Sequence, residues 1–124
     1  MNEGKTGERT SGPKLIFACS GVADVGEIAD RAARKMTKDG VGKMFCLAGI
    51  GGRIDGIMKN TQAASNILAI DGCSLDCVKN CLEQAGFTEF GHLRITDLGM
   101  ERTKSQVSDE NIAIVAERGT SLLS

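Results

Sequence analysis

The chain has 124 residues, of which 41% are hydrophobic and 25% charged, with a formal net charge of -1. This is enough for one domain with a real core and too little for two. A near-neutral chain without a basic face is not expected to bind nucleic acid, and no apolar stretch approaches the length of a membrane span or a signal peptide's apolar region. The expected location is therefore the cytoplasm and the expected state a monomer. There, five cysteines point to metal ligation or redox chemistry more than to structural disulfides.

Met1 to Pro13 is polar, contains glycine and is mixed in charge. It reads as a tail (1–13) ahead of one domain (14–118) and a short C-terminal tail (119–124). Lys14 to Cys19 is an apolar run ending in a cysteine, the first strand. After the Ser20-Gly21 turn, Val25, Ile28, Ala29, Ala32 and Met36 recur at helical spacing, with Ser20 or Asp24 as the expected cap and Asp39-Gly40 as the stop. Val41 to Leu47 is a second strand carrying Cys46, followed by a glycine-rich loop from Ala48 to Gly52. Ile54, Ile57 and Met58 mark a weaker helix.

Asn66 to Ile70 is a third strand. It runs into Asp71-Gly72-Cys73, and a helix expected over Ser74 to Ala85 carries Leu75, Val78, Leu82 and Ala85 on one face before Gly86. Phe90 to Thr96 alternates like a fourth strand, with His92 among the outward-facing residues. Ser108-Asp109-Glu110 caps a last short helix with Ile112, Val115 and Ala116, ending at Gly119.

Strands alternating with helices imply parallel pairing and right-handed crossovers. The expected fold is a three-layer α/β/α domain with a mostly parallel sheet of about four strands in the order 2-1-3-4, as in flavodoxin-like folds. That order places a crevice between the carboxyl ends of the first and third strands.

Cys19, Cys46 and Cys73 share one address, the carboxyl end of a strand, and Cys77 lies four residues beyond Cys73. If the helix starts at Ser74, Cys73 and Cys77 rise by roughly 6 Å on one face, which suits two ligands of one ion. Cys81 then rises by roughly 12 Å and falls on the core side, where it reads as packing. Zinc takes four tetrahedral ligands with Zn–S near ~2.3 Å, and four converging thiolates meet that need. The helix start beyond Cys73 and the glycines beside three of the thiols (Gly21, Gly49, Gly72) are expected to supply N–H groups to the sulfurs.

Cys19-Ser20-Gly21, the stretch Cys46 to Gly52, and Ile70-Asp71-Gly72-Cys73 followed by Cys77 resemble the DGC-domain family, named for its Asp-Gly-Cys motif. The resemblance covers roughly Lys14 to Arg118. It implies a zinc-binding protein whose ligands are Cys19, Cys46, Cys73 and Cys77, and it implies no defined enzymatic activity.

Other motifs compete. Cys46 and Arg53 are separated by six residues, one more than a phosphatase loop has, and the glycines between them read as a tight strand-to-helix turn in preference to an anion site. His92 reads as exposed, and Asp71 and Asp76 as capping residues rather than an acid–base pair. The sequence therefore predicts one zinc ion on four thiolates at the carboxyl edge of the sheet, with a role in metal sensing, storage or transfer or in docking a protein partner. The alternative is thiol redox or sulfur transfer through Cys73 and Cys77, and four cysteines also suit an iron–sulfur cluster.

Overall fold

Two strands with apolar residues at nearly every position sit at the centre of the sheet. They are β1 (Lys14–Ala18) and β3 (Asn66–Asp71). Such runs suit parallel strands covered on both faces. The structure, a computed structural model, describes residues 12–123. The tail expected over Met1 to Pro13 thus lies outside the described residues except for Gly12 and Pro13.

The sheet has four strands in the order β2-β1-β3-β4, all parallel, where β2 is Lys43–Met44 and β4 is Gly91–Arg94. This is the expected order. Ile16, Ala18, Leu68 and Ile70 pack on one face against α1 (Asp24–Lys38) and α5 (Asp109–Leu123). Leu15, Phe17, Ile67 and Ala69 pack on the other, against a second group of helices. These are α2 (Leu47–Gly51), α3 (Asp55–Gln62) and α4 (Cys77–Gln84), whose Ile50, Val78 and Leu82 are fully buried. The alternation of side chains along each strand therefore divides the core into two layers. Among the described residues, no helix is long and apolar enough to cross a membrane.

The predicted face of α1, Val25, Ile28, Ala29, Ala32 and Met36, is buried throughout. Its caps differ from expectation. Ala23 occupies the cap position, and the Asp24 carboxylate accepts the N–H groups of Thr103 and Ser105 at 2.8 and 2.9 Å. Ser20 Oγ donates to Asp30. Asp24 thus ties the loop before α5 to the start of α1.

Further elements depart from the sequence reading, among them the fourth strand, which spans Gly91–Arg94 and not Phe90 to Thr96. The second strand is two residues long, and the expected glycine-rich loop is the short helix α2 with Cys46 as its N-cap. Helix α4 begins at Cys77, three residues later than expected, because Asp76 sits in the left-handed region at φ 53°. Leu75, expected on a buried face, is 61% exposed in consequence. Helix α5 runs past Gly119 to Leu123, and Leu123 is buried. Gly119 does not stop this helix. A Cβ there would lie 2.9 Å from the Met36 side chain and 3.1 Å from Leu68, so the glycine allows α5 to lie close to α1 and the sheet.

Candidate metal centre and its thiols

The chain leaves β1 to the α1 side and leaves β3 to the α4 side, which opens a crevice at their carboxyl ends. Cys19 follows β1 directly, and its N–H still bonds the Ile70 carbonyl at 2.9 Å. Cys46 follows β2 as the N-cap of α2. Cys73 stands two residues past β3, and Cys77 is the first residue of α4. All four lie at the carboxyl edge of the sheet. Cys46 and Cys77 are exposed, and Cys19 and Cys73 are half-buried.

The Asp-Gly-Cys turn is held from beneath. Asp71 is fully buried, and its carboxylate accepts the N–H groups of Val78 at 2.7 Å and Lys79 at 3.1 Å. It caps the first turn of α4 from seven residues away, at the positions where a helix leaves N–H groups free. His92 Nε2 on β4 lies 2.8 Å from the same carboxylate and 3.6 Å from Asp76. Arg94 donates to both oxygens of Asp76 at 2.9 and 2.6 Å. This fork holds Asp76 in its left-handed conformation and its carboxyl below the usual range, chiefly through the Arg94 hydrogen bonds. His92 is therefore a supporting residue of the loop, not an outward-facing one.

Gly72 has a separate reason. A Cβ there would lie 3.0 Å from the Val25 carbonyl carbon and 3.1 Å from the Gly26 nitrogen. A Cβ on Gly26 would lie 2.7 Å from the Gly21 oxygen. The two crevice loops are thus seated against the first turn of α1 through small residues. Gly49 lies under Ile57 in the same way. Gly49 and Gly72 serve close packing, whereas a Cβ on Gly21 would meet only the Cys19 sulfur at 3.8 Å. The N–H groups of Val78 and Lys79 in the first turn of α4 go to Asp71, not to sulfur.

The Cys77 thiol is pushed up by burial, and further by Cys19, Asp71, Cys73 and Asp76. Cys77 also shares with Cys46 and Cys81 the wall of an open cleft of about 660 Å³ whose rim carries Ser20, Asp30 and Arg34. Cys81 is half-buried, and its Sγ lies 3.9 Å from the Leu47 carbonyl oxygen. It packs against the Leu15–Phe17 layer, as expected, and also lines the cleft. Its separation from Cys73 is not two turns of one helix, because α4 begins only at Cys77.

Among the described residues, Asp71, Asp76 and His92 form the group of three or more Cys, His, Asp or Glu side chains whose donor atoms all lie within 4.8 Å of one another. No three thiols meet that spacing. The acidic group is already satisfied internally. Asp71 serves two N–H groups and His92, and Asp76 serves a guanidinium whose charge opposes a cation. Arg53, the candidate closing residue of a phosphate loop, donates instead to the carbonyls of Ile50, Gly51 and Gln84, joining the ends of α2 and α4.

The DGC domain matches residues 15–118 of this chain. The chain belongs to the DGC-domain family. It is 33% identical over 88 residues to the anaerobic and virulence modulator AnvM of Pseudomonas aeruginosa, an alignment covering 71% of this chain and 67% of AnvM. No solved structure matches. In this DGC domain the Asp of the name is a buried cap, the Gly a packing contact and the Cys a candidate ligand. The sequence reading missed the Asp71–His92 and Asp76–Arg94 pairs. Their only sequence signal was the alternation of His92 and Arg94 on one strand after two aspartates flanking a turn.

Proposed function

We propose that this DGC domain binds one zinc ion through the thiolates of Cys19, Cys46, Cys73 and Cys77, and serves metal sensing or transfer rather than hydrolysis. The observation that carries this reading is the position of Cys77. Cys77 opens α4 at the sheet edge that carries Cys19 and Cys73; burial, and then their like charge, pushes its thiol up, and it shares a cleft wall with Cys46. Burial and like charge disfavour several thiolates in one place, and a divalent cation supplies the compensation that these neighbours lack. The donor set fits zinc chemically, since soft thiolates select it. Cys46 and Cys77 are exposed at loop-to-helix junctions, where side-chain rotation re-aims the sulfur.

The residues around the thiols each have one task in this site. Asp71 fixes the start of α4 and so the place of Cys77. Gly72 seats the loop that carries Cys73. Arg94 fixes Asp76 between the two cysteines. A zinc ion on four thiolates has no open position for water, so the ion is held or passed on, not used for hydrolysis. The name of the AnvM relative, a modulator, supports a regulatory role.

The test is the metal content of protein purified without chelator. About one equivalent of zinc is expected, with Cys19→Ser, Cys46→Ser, Cys73→Ser and Cys77→Ser each losing most of the affinity. Metal-free protein with one rapidly alkylated thiol would instead establish redox or sulfur-transfer chemistry at Cys73 and Cys77. Strong visible absorbance would establish an iron–sulfur cluster.

A further inference from the structure

We infer that Cys81 is an exchange ligand, which together with Cys46 and Cys77 forms an open three-thiol set in the cleft through which zinc enters and leaves the four-thiolate site. This rests on the proposed zinc site and assigns a role to the fifth cysteine, which that site does not use.

Three observations lead to it. First, Cys46, Cys77 and Cys81 line one open cleft at the carboxyl edge, whereas Cys19 and Cys73 are not part of its wall. Cys73 packs instead against the core layer of α1 and α5, and Cys19 against both layers. The thiols therefore divide into an outer set and an inner pair, with Cys46 and Cys77 common to both sets of ligands. Second, α4 begins at Cys77, so Cys77 and Cys81 are one helical turn apart. That spacing, a rise of roughly 6 Å on one face, suits two ligands of one ion. Third, the Cys81 Sγ stands opposite α2, 3.9 Å from the carbonyl oxygen of Leu47, the residue after Cys46. The cleft is thus walled by α2 on one side and α4 on the other, with thiols on both.

A closed four-thiolate site releases its ion slowly when each ligand must leave unaided. A fifth thiol that shares two ligands with the site offers a stepwise route. In the cleft, Cys46, Cys77 and Cys81 each lose one proton to water on binding. In the hand-over, Cys19 and Cys73 each lose a proton as they bind, and Cys81 takes one up as it leaves. Four protons leave in all, no sulfur changes oxidation state, and release runs through the same steps in reverse.

The experiment uses the full chain loaded with zinc. It measures the rate at which a chromophoric chelator withdraws the ion, and the rate at which metal-free protein takes zinc from a preloaded weak chelator. Cys81→Ser and Cys81→Ala should keep the stoichiometry and affinity of the wild type and slow both rates by at least about tenfold. A packing role alone has the opposite sign, because loosening α4 speeds loss. As a check that needs no variant to fold, iodoacetamide should modify Cys81 first in the zinc-loaded wild type, and the product should keep its zinc and exchange slowly. Wild-type rates in the variants and in the alkylated protein overturn the exchange role alone. Wild-type protein that holds no zinc overturns the four-thiolate site and the exchange role together.

Discussion

The carboxylate of Asp71, at the end of β3, accepts the backbone N–H of Val78 in the first turn of α4 at 2.7 Å. This bond spans the loop that carries Cys73 and, together with the Arg94 fork on Asp76, fixes the start of α4 at Cys77. The aspartate of the Asp-Gly-Cys motif is in this way a brace for two thiols.

Asp71→Ala should therefore destabilise the fold by about 3 kcal/mol, because two N–H groups and the His92 ring lose a buried carboxyl partner. Asp71→Asn keeps one acceptor and should cost less. Chemical denaturation of both variants measures this. A loss below about 1 kcal/mol for the alanine variant would show that α4 is held by its apolar face alone.

Gly72→Ala should cost about 1–3 kcal/mol, since the added Cβ meets the backbone of Val25 and Gly26 at 3.0–3.1 Å and neither can rotate away. Gly56→Ala in α3 is the control. Nothing lies within 4 Å of its Cβ position, and the change should be neutral or stabilising by up to about 1 kcal/mol. Equal melting temperatures for the two variants would remove the close-packing role of Gly72.

The Asp76 carboxyl is held below its ordinary value, first by the hydrogen bonds of Arg94. A lowered folded-state pKa contributes stability that is present above the unfolded value of about 3.9 and is lost as pH falls through the folded value. Asp24 is lowered likewise, first by the Ser105 N–H and then by that of Thr103. Stability should thus fall on acidification below about pH 4. Arg94→Gln should flatten that acid limb and leave the part due to Asp24. Superimposable pH–stability curves for the variant and the wild type would contradict the pairing.

Chelation should weaken the protein without unfolding it. The buried residues of both core layers are apolar and include no cysteine; Cys19, Cys73 and Cys81 only pack against their edges. Circular dichroism in excess chelator should keep its α/β signature, and collapse to a random coil would make the metal structural.

Leu123→Ala should cost about 2–4 kcal/mol in denaturant and leave zinc stoichiometry unchanged, because Leu123 is buried in the layer of α1 and α5. A negligible cost would mean that the last turn of α5 contributes nothing to that layer.

Sequence by itself determined the sheet and the address of the thiols. Continuous apolar runs at Leu15–Ala18 and Ile67–Ile70, bounded by turn residues, read as strands covered on both faces, and the helical stripe from Val25 to Met36 as a helix lying on that sheet. Parallel strands joined by helices place Cys19, Cys46 and Cys73 on one edge, and the order 2-1-3-4 is expected by likeness to flavodoxin-like folds. What tertiary structure decided are the points where a distant partner overrides local preference. Asp76 breaks the helix expected from Ser74 because Arg94, eighteen residues on, forks onto it. Gly119 continues a helix that local rules would end, because Met36 and Leu68 lie where a side chain would be. Cys81 joins the cleft of Cys46 and Cys77 because α4 starts late and α2 stands opposite it. In each case the deciding contact joins residues far apart in the chain, and local periodicity carries no record of such a contact.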